Sequence, residues 1–128
     1  MRILLDTHIL LWALAEPKKL SKATRVRLEN PDADILFSAA SIWEIAIKSQ
    51  LGRVSFFVSP DEIAAAAIDS GFRELPVRAD AAALVASLPP HHRDPFDRIL
   101  LAQAISEPAH FCTVDKALAS YADLVRLV

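Results

Sequence analysis

The sequence predicts an α/β fold, a three-layer α/β/α sandwich around a central, mainly parallel sheet. Short β-rich runs alternate with longer helical runs along the chain, which is the pattern of consecutive βα units. The eight prolines fall at or near the joints between these runs, where a missing backbone amide is tolerated best. A length of 128 residues and an apolar fraction of 53% suffice for one core, so we expect residues 1–128 to form a single domain.

The first two βα units occupy the N-terminal part of the chain. The first strand is RILL, residues 2–5, and the helix THILLWALA follows it from about Thr7. The second strand is DILF, residues 34–37, and the helix after it is SIWEIAIKSQ, residues 41–50. Helix THILLWALA contains more Leu, Ile and Trp than one helical face can use, so we expect it to leave an apolar surface through which the protein self-associates.

The remaining elements complete the predicted sheet. A helix near residues 61–70 leads to the strand FRELPV, residues 72–77. A further helix lies in HRDPFDRILLAQA, before the strand HFCTV at residues 110–114. The last strand is LVRLV, residues 124–128.

The composition excludes several classes of function. Gly52 and Gly71 are too few to build a dinucleotide-binding G-x-G-x-x-G turn or a Walker A loop, and no G-x-S-x-G motif exposes a serine nucleophile. The single cysteine, Cys112, rules out an internal disulfide and zinc-ribbon spacing, and indicates a reducing cytoplasm as the compartment. His110 shares a strand face with Cys112, and without further ligands at metal spacing we interpret both as packed residues.

The N-terminus has the outline of a signal peptide without its uninterrupted apolar core. Arg2 precedes an apolar run that ends in LLWALAEP, but Asp6 and His8 interrupt the run, so we expect no signal peptide. No segment approaches the roughly 18 apolar residues of a membrane span. A net charge of −2 and a pI near 6.0 argue against a protein that grips nucleic acid through a dominant positive field. A polyanionic substrate would therefore need local neutralisation.

Glu44 is a carboxylate within an otherwise apolar helix. Ser41 and Glu44 fit the S-x-x-E capping box, and Lys48 is placed to pair with Glu44 at i,i+4. A cap and an ion pair would explain Glu44 as a structural residue. The alternative is that the narrow polar strip of this helix faces a functional site.

Four carboxylates are predicted to meet at one edge of the sheet. Asp6 and Asp115 follow strands, whereas Glu44 and Asp97 lie near helix starts. In a parallel α/β sheet, strand carboxyl ends and helix amino ends share an edge, which is also where ligands bind. Each acid alone could be a cap or a favourable helix-dipole residue. Together the four would repel one another and raise each other's pKa values, unless a cation lies among them.

The kind of cation follows from the donor atoms. Oxygen ligands without histidine or thiolate at matching positions favour Mg²⁺ or Mn²⁺ over zinc. Such an ion can activate a bound water and polarise a phosphoryl oxygen, and it supplies the positive charge that the composition lacks. The acids therefore indicate a phosphodiesterase site.

The order LLDTH, SIWEIAIK, HRDPFDRILLAQA and TVDKAL resembles the PIN domain, in particular the VapC-type toxin ribonucleases of bacterial toxin–antitoxin pairs. The resemblance runs from Arg2 to Val128. It implies a three-layer α/β/α fold and Mg²⁺- or Mn²⁺-dependent endoribonuclease activity on an RNA substrate. It further implies a homodimer that is inhibited by a small cognate antitoxin protein.

The resemblance also assigns the site residue by residue. The family's catalytic and metal-binding acids fall on Asp6, Glu44, Asp97 and Asp115, and Thr7 and Thr113 match the hydroxyl positions that often support them. DPFD contains two aspartates, and the acid followed by an apolar run and alanines, DRILLAQA, selects Asp97. Asp94 instead fits a helix N-cap, with Pro95 at the first helical position that proline prefers.

Other interpretations remain open at this stage. A receiver-like module predicts adjacent acids after the first strand, and a haloacid-dehalogenase-like phosphatase predicts an acid where His8 stands. A third alternative is a non-catalytic RNA-binding member of the same fold. The loop from His91 to Pro95 could face the substrate or be a polar connection. Basic residues that could face RNA, or equally be solvated surface charges, are Lys48, Arg53, Arg93, Arg98 and Lys116.

Overall fold

The computed structural model describes residues 1–53, 59–90, 93–121 and 123–128. These residues form one sheet in which every described pairing is parallel, with the strand order β3-β2-β1-β4-β5. The strands are β1 (Arg2–Leu5), β2 (Asp34–Ser38), β3 (Arg73–Leu75), β4 (His110–Thr113) and β5 (Val125–Leu127). The predicted parallel α/β sheet is confirmed, and β3 ends where Pro76 has no amide to give to the ladder.

The helices alternate with the strands as the sequence indicated. They are α1 (Thr7–Ala15), α2 (Lys22–Glu29), α3 (Ala39–Gln50), α4 (Pro60–Asp69), α5 (Ala79–Leu84) and α6 (Pro95–Ser106). Residues 116–120 form a short 3-10 helix. The sequence located α1, α3, α4 and α6 to within about two residues but assigned no helix at α2 or α5.

Two hydrophobic clusters cover the two faces of the sheet, as expected of three layers. Alternate residues of β1 point to opposite sides, so Ile3 and Leu5 join one cluster and Leu4 joins the other. The first cluster contains buried side chains of α1, α2, α3 and α4, and the second contains Leu100 and Leu101 of α6. The α/β/α sandwich is therefore confirmed.

The sheet order places a topological switch point beside β1. From β1 the chain first builds outward through β2 and β3, and then returns to add β4 and β5 on the opposite side. The carboxyl ends of β1 and β4 are joined by a hydrogen bond from the Asp6 amide to the Cys112 carbonyl, 2.9 Å long. Ligands of open α/β sheets bind in the crevice at such a point.

The N-terminus of α3 differs from the expectation. The helix begins at Ala39, and its N-cap is Ser38, whose Oγ accepts from the Ala40 amide at 2.9 Å. Ser41 therefore lies inside the first turn, and the predicted capping box of Ser41 and Glu44 is wrong. The physical reason is that Ser38, at the end of β2, offers an acceptor hydroxyl ahead of two alanines that readily become helical.

Helix α1 also differs from the expectation, because it leaves little apolar surface. Ile9, Leu10 and Leu11 are buried, and Trp12 and Leu14 are half-buried against the same cluster. The helix contacts α3 and α4 as well as the sheet, so it buries more than one face. The apolar surface expected on α1 is therefore small, and self-association of the protein stays a prediction.

Across the described parts of the chain, no helix combines the length and the apolar character that crossing a membrane would require.

Candidate functional site

Asp6 lies directly after β1, at the switch point. Its Oδ1 accepts from the His8 amide at 2.8 Å and thereby caps α1, as the structural interpretation predicted. Its Oδ2 accepts from Thr113 Oγ1 at 2.6 Å, across the pairing of β1 with β4. The residue is only 4% exposed. Asp6 is thus held both by its own helix and by a neighbouring strand.

The surroundings of Asp6 disfavour its negative charge. Burial raises the pKa of this carboxyl, and the charge of Glu44 raises it further. The hydrogen bonds from Thr113 and from the His8 amide, together with the charge of His8, lower the pKa but do not cancel the effect of burial.

Asp34, at the opposite edge of the sheet, is treated differently. Arg73 donates to its two carboxylate oxygens at 3.2 and 2.7 Å, and this contact holds the pKa of Asp34 below its usual value. At the amino ends of the strands, the charge of this acid is therefore compensated by an arginine. The carboxyl edge instead keeps Asp6 buried beside a second carboxylate, which is the pattern expected of a functional site rather than of a structural ion pair.

Glu44 is as buried as Asp6, with 4% exposure. Its Oε1 accepts from Thr7 Oγ1 at 2.7 Å, and Thr7 Oγ1 also lies 2.9 Å from Ser41 Oγ. Its Oε2 accepts from Lys48 Nζ, one helical turn away. The predicted i,i+4 pair of Lys48 with Glu44 is confirmed. Glu44 nevertheless turns toward Thr7, so the polar strip of α3 faces the residue that follows Asp6.

The two aspartates of DPFD have different surroundings. Asp94 is the N-cap of α6, with Pro95 as the first helical residue, and its Oδ1 accepts from the amides of Phe96 and Asp97 at 2.9 and 3.4 Å. The structural interpretation of Asp94 is confirmed. Asp97 is half-buried in the first turn of α6.

Lys48 connects the acid of α3 with the acids of α6. Burial by itself lowers the pKa of this ammonium, but the hydrogen bond and charge of Glu44 and the charges of Asp94 and Asp97 raise it above the usual lysine value. Lys48 therefore lies within the field of all three carboxylates. It is a half-buried cation surrounded by acids, which explains why it remains protonated.

Asp115 joins the site through Thr113. Thr113 Oγ1 accepts from the Asp115 amide at 3.1 Å while donating to Asp6 Oδ2. Asp115 Oδ1 accepts from the Ala117 amide at 2.9 Å, so the residue caps the 3-10 helix after β4. One buried hydroxyl thus positions the first and the last predicted acid.

These contacts bring the predicted site residues to one edge without forming a metal cage. Among the residues that the structure describes, no three histidine, cysteine, aspartate or glutamate side chains are close enough together to hold an ion as they stand. The donor set itself fits a hard cation, because it consists of carboxylate and hydroxyl oxygens around a buried carboxylate of raised pKa.

The candidate RNA-facing cations are used in different ways. Arg98 donates to the carbonyls of Pro89, Val85 and Leu88 at 2.9, 3.0 and 3.3 Å, so its guanidinium fastens the segment before α6 and has a structural role. Lys48 is engaged with Glu44. Arg53, Arg93 and Lys116 are exposed. Within the proposed substrate-facing loop, His91 and His92 lie outside the described residues.

Two buried polar residues, Ser38 and Gln103, were not identified from the sequence. Ser38 Oγ donates to Gln103 Oε1 at 2.6 Å, and Gln103 Nε2 donates to the Pro76 carbonyl at 3.2 Å. The pair ties the end of β2 to α6 behind the acids. Gln103 could have been identified in the same way as Glu44, because it too is a polar residue within an otherwise apolar helix.

Comparisons with known proteins agree with this geometry. The family model described as PIN domain matches residues 3–124. The curated protein Ribonuclease VapC22 of Mycobacterium tuberculosis is 31% identical over 123 residues, covering 93% of this chain and 91% of that protein. The crystal structure of VapBC2 from Rickettsia felis, bound to a DNA fragment from their promoter, matches with a TM-score of 0.69 and 14% identity. That match covers 100% of this chain and 98% of the other, and it shows a common fold.

Proposed function

Because the chain belongs to the PIN domain family, we infer that it is an endoribonuclease of the VapC type, the toxin of a toxin–antitoxin pair. The family match removes the receiver-like and phosphatase-like alternatives. The observation that supports catalysis most directly is the burial of Asp6 and Glu44 at one edge, each with 4% exposure and without an arginine partner among the described ion pairs.

We propose that Asp6, Glu44, Asp97 and Asp115 form the catalytic and metal-binding site. A carboxylate has about four lone-pair positions, so the two hydrogen bonds that Asp6 accepts leave capacity for an ion. The same holds for Glu44 with its contacts to Thr7 and Lys48. Mg²⁺ or Mn²⁺ held by these oxygens supplies an activated water and compensates charge on the phosphoryl group.

The supporting hydroxyls fix the direction of the acids. Thr113 donates to Asp6 Oδ2 and holds the Asp115 backbone, so β4 sets both acids with one side chain. Thr7 donates to Glu44 Oε1 and thereby links α1 to α3. Site residues must be held within about half an ångström of a productive arrangement, and such buried hydroxyl contacts provide that support.

Lys48 moderates the repulsion among the acids. Since its pKa is raised, it stays charged at neutral pH and compensates Glu44 and part of the charge of Asp97. The site can therefore remain folded before a cation binds. This explains how an acidic edge is compatible with a stable apo protein.

The substrate and partners follow from the same assignment. We propose that RNA is cleaved, that a small antitoxin inhibits the enzyme, and that the active form is a homodimer of this single 1–128 domain. Exposed Arg53, Arg93 and Lys116 are the proposed phosphate contacts. A cytoplasmic location agrees with one buried cysteine, Cys112, whose pKa burial raises to about 11.

The decisive experiment is RNA cleavage by the purified protein under metal control. Structured RNA should be cut in Mg²⁺ or Mn²⁺, left intact in EDTA, and cut again when the metal is restored. Mn²⁺ binding, measured separately by calorimetry, should weaken in Asp97→Asn. Full activity in chelator would refute the metal site, and metal binding without any cleavage would favour a non-catalytic RNA-binding member of the fold.

A further inference from the structure

Trp43 is an exposed aromatic residue beside the proposed acids. It lies on α3 with 62% of its surface exposed, whereas Ile45 two residues later is 1% exposed. Its ring meets Phe96 of α6 edge to face, with centroids 5.2 Å apart and an interplanar angle of 72°. An indole left in solvent contributes little to folding, so its stability role is small.

The aromatic pair and the acids lie along the same boundary between α3 and α6. Trp43 immediately precedes Glu44, and Phe96 immediately precedes Asp97. The ring contact of Trp43 with Phe96 brings α3 and α6 together next to these two acids. The exposed face of Trp43 therefore borders the proposed catalytic edge.

The charge of the protein favours a non-ionic contact with RNA in addition to the proposed basic ones. With a net charge of −2 and several acids at the site, phosphates approach against repulsion outside the reach of a bound cation. Single-stranded nucleic acids are commonly held by aromatic rings that stack on their bases, and stacking does not depend on the sign of the protein charge.

We propose that Trp43, supported by Phe96, is the platform on which an unpaired base of the RNA substrate stacks next to the acids. The proposal rests on the ribonuclease function above. Stacking on Trp43 requires an RNA strand with an unstacked nucleotide at the cleavage site, because a base within a duplex has no free face to offer. Phe96 is half-buried and meets the indole edge to face, so the contact restrains the ring of Trp43 while that residue stays 62% exposed.

The chain offers a matched control for a fluorescence experiment. It contains two tryptophans, and the other, Trp12, is half-buried on α1 with Lys19 Nζ 5.8 Å from its ring. Trp12→Phe leaves Trp43 as the only indole, and Trp43→Phe leaves Trp12. Both are made in an Asp97→Asn background to prevent cleavage, and are titrated with a single-stranded RNA oligonucleotide and with the same strand annealed to its complement.

Single-stranded RNA should quench emission in the Trp12→Phe protein and leave emission in the Trp43→Phe protein unchanged, and the duplex should bind more weakly. Trp43→Ala should weaken binding by about 5- to 150-fold, the range for losing one stacked base. Trp43→Phe should retain most of the affinity, because it keeps an aromatic face.

Three outcomes would overturn the platform, and they are distinguishable from failure of the ribonuclease assignment. Unchanged affinity in Trp43→Ala, or bound RNA that leaves Trp43 emission unaltered, removes the stacking role while cleavage by the parent persists. If Trp43 emission changes when the protein is diluted, but not when RNA is added, and light scattering shows a change in the mass of the protein, then Trp43 is a contact between subunits. A parent protein that neither binds nor cleaves RNA refutes both proposals.

Discussion

Asp94 and Asp97 are three residues apart in one helical turn, yet the structure predicts opposite effects when each is replaced. Asp94 Oδ1 accepts from the Phe96 amide at 2.9 Å and, more weakly, from the Asp97 amide at 3.4 Å. Asp94→Ala removes this cap and should lower the free energy of unfolding by about 1 kcal/mol. For a chain of this length the melting temperature should fall by about 3–5 °C. Because the proposed metal-binding acids remain, substantial RNA cleavage should be retained.

Asp97→Asn should act on cleavage instead of stability. The change loses a helix-dipole interaction of about 0.3–1 kcal/mol and some attraction to Lys48, but it also relieves repulsion from Asp94 and Glu44. The free energy of unfolding without metal should therefore change by no more than about 0.5 kcal/mol, while cleavage is abolished.

The two measurements are thermal unfolding in EDTA and RNA cleavage in Mn²⁺. Asp94→Asn is the matched control, since asparagine keeps an acceptor oxygen at the N-cap and should preserve both stability and activity. Near-normal cleavage by Asp97→Asn, combined with an inactive Asp94→Ala of unchanged stability, would show that the site has been assigned to the wrong aspartate.

Three further changes probe the buried polar contacts. The pKa of Asp6 is raised in the folded state, so its negative charge destabilises the fold above that pKa and has no effect well below the unfolded value of about 3.9. Asp6→Asn should therefore become more stable relative to the parent as the pH rises from about 3 to 7. A stability difference in urea denaturation that does not change with pH would contradict this. Thr113→Val removes the hydroxyl that donates to buried Asp6 Oδ2, so it should lower the free energy of unfolding by about 1–3 kcal/mol at pH 7. Thr113→Ser keeps a hydroxyl and should stay much closer to the parent. Lys48→Met should lower the free energy of unfolding by about 1–3 kcal/mol at neutral pH, because it leaves the buried Glu44 carboxylate without its lysine partner; an unchanged melting temperature in thermal unfolding would contradict this.

Most of the fold could be predicted because strands and helices alternate with prolines at their joints. Helix α2 was missed because KATRVRLE has only Val26 and Leu28 as large apolar residues, too few for a 3.6-residue stripe. The capping box failed because two serines three residues apart both suit a helix start, and only the end of β2 decides for Ser38. The surface of α1 was misjudged because a helical wheel does not show neighbouring helices.

The proposed site was predictable to the level of which acids share an edge. Parallel topology alone brings Asp6 and Asp115 together, since each follows a strand of the adjacent pair β1 and β4. The hydrogen-bond partners of these acids were harder to predict, because contacts such as Thr7 with Glu44 depend on how two helices pack rather than on the spacing of residues in the sequence. For the same reason, the pairing of Trp43 with Phe96 leaves no signal in the sequence.

The contact between Asp6 and Thr113 has a consequence for the cell that makes this protein. The two residues are 107 positions apart, and β4 must pair with β1 before the hydroxyl can reach the carboxylate. Until β4 has been synthesised, β1 can pair with β2 but Asp6 lacks its contact with Thr113, and Asp115 has not yet been added to the chain. A nascent or prematurely released chain that stops short of β4 cannot assemble the proposed site. Under the proposed function, β4 must therefore be synthesised before this protein can cleave RNA.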